Sequence, residues 1–278
     1  MPTIFILGAL SVYPLIQVIY LSFIDRSLVQ PGSGQFVGFL NYAKLFTDRR
    51  FWNALKITMY WELITVIGSM GLAILLAMLI YRNVGKLFKN ILTLVFIFPA
   101  VIPRVAAGYT WRFMYSPLLG LFNYFLSVLR LPNIEFLSNS NTALLSVALV
   151  DIWQWSLLLS VIILGLLESI PEEPIEAAQL DGATRFRLNL HITFPIIWPG
   201  LLSLVFLKII ESLRSFDLIY IMTKGGPGIA TETIDLYAYS VGLAINGNIS
   251  YGASMSFIML VITIIIATFL WRFLRHET

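Results

Sequence analysis

The sequence predicts an all-α integral membrane protein with about six transmembrane helices, folded as a single domain over residues 1–278. Composition is the first reason: 58% of the 278 residues are hydrophobic, 12% are charged and the mean hydropathy is +0.85, whereas roughly a quarter of a soluble domain is charged. The second is a series of apolar runs about 20 residues long, the length a helix needs to cross hydrocarbon. The third is one long polar stretch between two such runs, Glu176–Pro199, which reads EAAQLDGATRFRLNLHITFPIIWP and keeps helix start and stop signals.

Other classes fall away on residue chemistry. There is no cysteine, so no disulfide framework, thiolate nucleophile or zinc-thiolate site is available. The two histidines, His191 and His276, stand far apart and predict no metal cluster. A net charge of +3 and a pI of about 9.1 fit lysines and arginines at a membrane surface; no basic face of soluble structure exists for nucleic acid. GxxxxGK[ST], HExxH and GxSxG are all missing, so neither a phosphate-cradling loop nor a protease or lipase centre is expected, and no catalytic residue is assigned.

In chain order, Ile4–Phe23 is an uncharged first span. With no basic region in front and no A-x-A site behind, it reads as retained rather than cleaved. Asp25–Trp52 is a polar loop centred on PGSG. The second span, about Ala54–Ile80, carries Glu62 inside it, and Arg82, Lys86 and Lys89 follow in a tight turn. The third, about Ile91–Tyr115, holds Pro99, Pro103 and Arg104, which predicts a kink where neighbouring helices satisfy the freed carbonyls. A short interfacial helix is expected before Asn141. The fourth span, about Thr142–Leu167, contains Asp151, Trp153, Gln154 and Trp155, with Trp153 read as a core or interfacial ring. The fifth covers about Ile196–Met222 and leads to an external loop with glycine-proline turn chemistry, Thr223–Thr233. The sixth, about Tyr251–Trp271, ends in Arg272 and Arg275 and returns both termini to one side. On that side lie Arg82, Lys86, Lys89, Arg185, Arg187, Arg272 and Arg275; opposite lie Arg26, Lys44, Arg49, Arg50, Lys56, Arg112, Arg130 and Lys224. Seven against eight gives no orientation by the positive-inside rule.

The polar stretch reads as an elbow, about residues 169–195, lying along the membrane surface. Pro171 and Pro174 stop one helix and allow a fresh start, Glu172, Glu173 and Glu176 suit the positive end of the new helix, and Asp181-Gly182 is a helix-end signal. A second short helix is expected to carry Arg185, Phe186, Arg187, Leu190 and Phe194 before Pro195 opens the fifth span. On that span Lys208, Glu211, Arg214 and Asp217 recur every three residues with alternating sign. The spacing predicts mutual neutralisation along one helix or, for Lys208 and Glu211, a lining of a wet path, since charges at membrane depth usually face a bundle interior or cavity.

In this stretch Glu176, Ala177, Ala178, Asp181, Gly182, Ala183, Ile192, Thr193 and Pro195 match, in register, a pattern E-A-A-x-x-D-G-A, spacer, I-T-L-P, with Phe194 in place of leucine and Asn189 where an aromatic is usual. The chain thereby resembles the permeases of binding-protein-dependent ABC importers. Phe36–Tyr42, Phe51, Trp52, Pro99, Pro103, Trp111, Gly120 and Asn123 also resemble that family, and Phe216–Gly228 with Thr231 and Thr233 resembles the maltose-importer F and glycerol-phosphate-importer A type of subunit. The resemblance implies a type I permease fold, a multi-pass protein of the prokaryotic cytoplasmic (inner) membrane with cytoplasmic termini. It implies a lipid bilayer around it and, as partners, a second permease, two ATP-binding subunits and an extracytoplasmic solute-binding protein. ATP and Mg would sit on the partner ATPases and no cofactor on this chain. Glu176, Ala177, Ala178, Asp181, Gly182, Ala183 and Phe186 would couple to the ATPases, Gly182 giving the turn, Glu176 a polar contact and Phe186 an apolar anchor. A sugar or sugar derivative would be bound by Gln154, Trp155, Leu158, Lys208, Glu211, Ser212, Ser215 and Phe216. Lys208, in place of a small polar residue, leaves an anionic sugar open. The alternatives are an ion-coupled secondary transporter using Glu62, Asp151 and Glu211, and an ABC permease for a non-sugar solute.

Overall fold

A computed structural model describes the backbone of residues 2–30 and 34–277, and side chains over 7–30, 34–270 and at Arg272. Of the PGSG turn, Pro31, Gly32 and Ser33 lie outside the described residues, as do the side chains of Arg275 and His276.

The first apolar run forms α1 (Pro2–Ser22). A two-stranded antiparallel ribbon, β1 (Ile24–Asp25) on β2 (Gln35–Phe36), closes the loop after it. Next come α2 (Leu40–Thr47) and α3 (Arg49–Asn83), so the loop expected over Asp25–Trp52 is shorter than the sequence reading. Asp48 ends it by accepting the Arg50 backbone N–H at 2.8 Å, which starts α3 before its apolar run begins. At about 1.5 Å per residue, α3 exceeds the roughly 30 Å of a bilayer core and projects beyond it.

The third apolar run divides into α4 (Lys86–Val101) and α5 (Arg104–Met114), bent by 94° at the Ile102-Pro103 break. Pro103 opens α5, where its missing N–H costs nothing. The expected interfacial helix is α6 (Leu121–Val128), held to the loop beyond by Asn123, whose amide exchanges hydrogen bonds of 2.9 and 3.1 Å with Ile134. Then follows α7 (Ala143–Glu168), the most enclosed span. The faces of α3 and α7 that meet are close: a Cβ on Gly68 of α3 would lie 2.5 Å from the Ile152 side chain of α7, and Ala73 and Ala77 share a core with Leu159, Ile163 and Leu167. Small residues let backbones approach closely where lipid offers no hydrophobic drive.

The polar stretch folds as α8 (Glu172–Leu180) and α9 (Arg185–Leu188), after which a π turn at Asn189–Thr193 runs directly into α10 (Phe194–Ser212). The second elbow helix is therefore the start of the fifth span, a continuous helix over Arg185–Ser212. A π turn accommodates Pro195, because the wider loop removes the clash an interior proline would meet.

The fifth span itself stops at Ser212, and the chain restarts as α11 (Phe216–Met222). This overturns the ladder of charges along one helix. Lys208 pairs across the bundle with Asp151 instead, and Glu211 and Arg214 make only a loose 3.9 Å contact. Residues 234–244, to which hydropathy assigns no element, form α12 (Ile234–Tyr239) and a second π turn before the last span, α13 (Ile249–Glu277). Among the described residues four helices are long and apolar enough to cross a membrane, α4 and α5 make a fifth if counted together, and α1 is a further apolar helix.

At the end opposite the elbow one carboxylate ties three helices together. Asp48, besides capping α3, accepts the hydroxyls of Tyr237 and Tyr251 at 2.6 and 2.8 Å, while Arg50 forks onto Glu232 at 2.7 Å and covers the Tyr237 ring. Burial works against the charged form of Asp48, but the two hydroxyls and the N–H groups of Arg50 and Phe51 outweigh it and hold the carboxyl below the usual aspartate range. Asp48→Ala should cost about 1–2 kcal/mol at neutral pH, from the lost cap and hydroxyl partners. Because the folded value is the lower one, this contribution is complete above the unfolded pKa of about 4 and is lost as pH falls through the folded value. Thermal unfolding of the detergent-purified protein checks this: the gap between wild type and D48A should close on acidification, and a gap that persists would contradict it.

Candidate functional site

Two helix breaks, Ile102-Pro103 and Leu213–Ser215, free backbone carbonyls in the middle of apolar segments, and the polar side chains nearby are arranged on them. At the first, Gln154 of α7 donates its amide to the carbonyls of Pro99 at 3.0 Å and Ile102 at 2.7 Å. At the second, Trp61 of α3 donates its indole N–H to the Ser212 carbonyl at 3.0 Å, and Arg104 donates to the Arg214 carbonyl at 2.8 Å. An unpaired carbonyl in hydrocarbon costs several kcal/mol, so each donor removes a penalty the break creates.

Between the breaks lies a charged cluster. Asp151, fully buried on α7, accepts Lys208 on one carboxylate oxygen and Arg104 on the other. Lys208 is also fully buried, with its Nζ 5.3 Å from the centre of the Trp155 ring. One turn along, Ser212 donates its hydroxyl to Glu62 of α3. Arg104, Lys208, Asp151 and Glu62 thus share one neighbourhood.

Four of the residues expected to bind substrate are buried: Gln154, Lys208, Ser212 and Ser215. Gln154, Lys208 and Ser212 are engaged as described, and Lys208 presents no free ammonium in this conformation. Trp155, Leu158, Glu211 and Phe216 are half-buried and retain accessible surface. Phe216 stacks on Tyr220 at 5.3 Å and meets the edge of Tyr239 at 5.1 Å. Trp153 joins the core aromatics, 5.3 Å from Trp111. The Arg104–Asp151–Lys208 grouping is not in the sequence expectations. Its sequence signal is that Arg104 and Asp151 each stand as lone charges among apolar residues, and that Lys208 lies inside an apolar span.

The elbow is built at the other end of α7 and α10. Glu172 and Glu173 occupy the first turn of α8, and the helix closes with Gly182 donating to Gln179 O at 3.0 Å and Ala183 to Ala178 O at 2.9 Å. That pair of bonds needs a left-handed residue, and Gly182 has φ +75°. Ile175 and Leu188 anchor the elbow in the core formed with α3, α7 and α10, and Lys89 bridges to Glu168 at 2.6 Å beside it. Glu176, Ala177, Asp181 and Gly182 are exposed, with Ala178 and Ala183 half-buried. Phe186 is 74% exposed and Leu180, which the sequence reading omits, 90%.

Removing one member of a buried ion group strands the others, whereas removing both charges of a pair costs far less. Asp151→Asn should therefore destabilise the protein by about 3–5 kcal/mol, read as lost monodispersity and a lower unfolding temperature in detergent. Asp151→Asn with Lys208→Met should recover most of that loss. Equal stability of the single variant and wild type would refute the role of Asp151.

With this geometry in view, comparison with known proteins is informative. Residues 69–276 match the family model described as the binding-protein-dependent transport system inner membrane component. The chain is 33% identical over 264 residues, 94% of its length and 84% of the relative's, to a probable ABC transporter permease, y4oQ, of Sinorhizobium fredii. It is 30% identical over 278 residues, 99% of its length and 89% of the relative's, to the sulfoquinovosyl glycerol permease SmoG of Agrobacterium fabrum. In fold it is similar to a chain of a bacterial ABC transporter involved in import of the acidic polysaccharide alginate, with TM-score 0.87 at 24% identity, covering 100% of this chain and 94% of that one. These likenesses support the permease reading over the ion-coupled carrier. The chain belongs to the family of binding-protein-dependent transport system inner membrane components, the membrane-spanning permeases of ABC transporters.

Proposed function

We propose that this chain is one permease subunit of an ATP-driven importer that carries a sugar or sugar derivative across a prokaryotic cytoplasmic membrane, with its termini and elbow on the cytoplasmic side. The observation that carries the reading is the elbow. Its backbone is fixed by the bonds at Gly182 and its root by Ile175 and Leu188, yet it holds Glu176, Leu180 and Phe186 out to solvent. Large apolar side chains held out on a rigid support suit a protein partner. That partner would be one of two ATPase subunits, which would bind the ATP and Mg that this chain has no loop to hold. A second permease would complete the membrane unit, and an extracytoplasmic solute-binding protein would deliver cargo. Carbohydrate cargo is supported by the substrates named for SmoG and for the alginate transporter, and by the half-buried Trp155 and Phe216 rings, which suit the apolar face of a pyranose.

In this mechanism closure of the ATPases displaces the elbow, and because α7 and α10 leave it as unbroken helices the motion reaches the two helix breaks as a rigid-body tilt. No atom would clash with a side chain at Gly182, since a Cβ there meets nothing within 4 Å. The left-handed backbone alone resists substitution, at about 1–2 kcal/mol. Gly182→Val should therefore leave the permease in the membrane and assembled, but uncouple uptake from ATP hydrolysis. Normal coupled transport would refute the role of the turn. A pull-down from native membranes tests the assembly itself: an ATPase and a second permease should co-purify and be lost with Glu176→Arg, whereas recovery of a lone polypeptide would overturn the proposal.

A further inference from the structure

We infer that the open cleft bordered by α1, α11, α12 and α13 is an additional subsite for a neutral sugar, with the Asp235 carboxylate as its hydrogen-bond acceptor. The inference rests on the import reading above and extends it to Asp235 and Ser256, which neither the sequence motifs nor the comparisons single out.

The cleft measures about 460 Å³ and is walled by Val18 and Leu21 of α1, Phe216 of α11, Asp235 and Tyr239 of α12, and Ser256 of α13, among others. That volume falls in the range of roughly 300–1,000 Å³ typical of small-molecule sites. Asp235 is half-buried, and among the described residues its carboxylate accepts no hydrogen bond and joins no ion pair. A carboxylate withdrawn from water without donors is costly, so a ligand able to supply them gains what the protein withholds. Two neighbouring hydroxyls of a sugar can donate to its two oxygens. Ser256 donates its own hydrogen to the Gly252 carbonyl at 3.1 Å, which leaves its lone pairs free to accept from a third hydroxyl.

The remaining wall suits the C–H face of a sugar ring. Phe216, stacked on Tyr220 and braced by Tyr239, is held at a fixed angle. The wall behind is narrow because α12 and α13 touch: a Cβ at Gly252 would lie 2.8 Å from the Ala238 carbonyl and 3.0 Å from the Gly242 Cα. Phe216 also belongs to the face expected to bind cargo, so the cleft continues that path toward the end opposite the elbow. Among the described residues Asp235 is the one charged group lining the cleft, and it is negative. The site therefore favours neutral sugars and disfavours phosphorylated or sulfonated ones.

The test is equilibrium binding to the permease–ATPase complex in nanodiscs, without the solute-binding protein, using radiolabelled maltose, with sn-glycerol 3-phosphate and choline as competitors. Asp235→Asn should weaken maltose binding about tenfold, as expected for a lost charge-assisted hydrogen bond. Ser256→Ala should give a smaller loss of the same sign and decides the matter if D235N does not assemble. Unchanged maltose binding in both variants, or displacement of maltose by choline or by sn-glycerol 3-phosphate at lower concentration than by maltose itself, would overturn the subsite. If the wild-type importer with its binding protein takes up sugar in such a case, the import reading survives. If it takes up none, both fall.

Discussion

Backbone carbonyls released inside an apolar environment must find donors within the protein, and most of the centre of this molecule follows from that demand. Two spans are interrupted, one at Ile102-Pro103 and one at Leu213–Ser215. Each interruption is answered by a side chain from a neighbouring span: Gln154 at the first, Trp61 and Arg104 at the second. Arg104 brings a charge with it, and Asp151 accepts that charge together with Lys208. The four elements α3, α5, α7 and α10 are thus joined by polar contacts at one depth, while apolar packing extends toward either end.

This arrangement separates two jobs that the sequence reading places on the same residues. Lys208, Ser212 and Gln154 hold the bundle together through their donor groups, which are all engaged. Surface left for a ligand lies on Trp155, Leu158, Glu211 and Phe216, and beyond Phe216 in the cleft facing Asp235.

The elbow reverses that balance. Its interior contacts are few, Ile175 and Leu188 into the core, and its chemistry points outward. The π turn makes the elbow's second arm part of the fifth span, one continuous helix from Phe186 into α10. At the opposite end Asp48, Tyr237 and Tyr251 close the bundle, leaving the two helix breaks between two tied ends.

By itself the sequence determined the membrane class, the approximate spans, the proline kink of the third span and the helix end at Asp181-Gly182. Each depends on hydropathy over about 20 residues or on the local backbone preferences of proline and glycine. Tertiary structure alone decided the break at Leu213–Ser215, where no proline or glycine gives notice, and the exchange of a ladder along one helix for a buried cluster across four elements. It also decided the enclosure of Lys208 and the cleft at Asp235. A helix end stabilised by Trp61 and Arg104, residues 151 and 110 positions away from the carbonyls they satisfy, has no local signature. Periodicity places a charge on one face of its own helix, but only packing determines which opposite charge shares the low-dielectric space beside it.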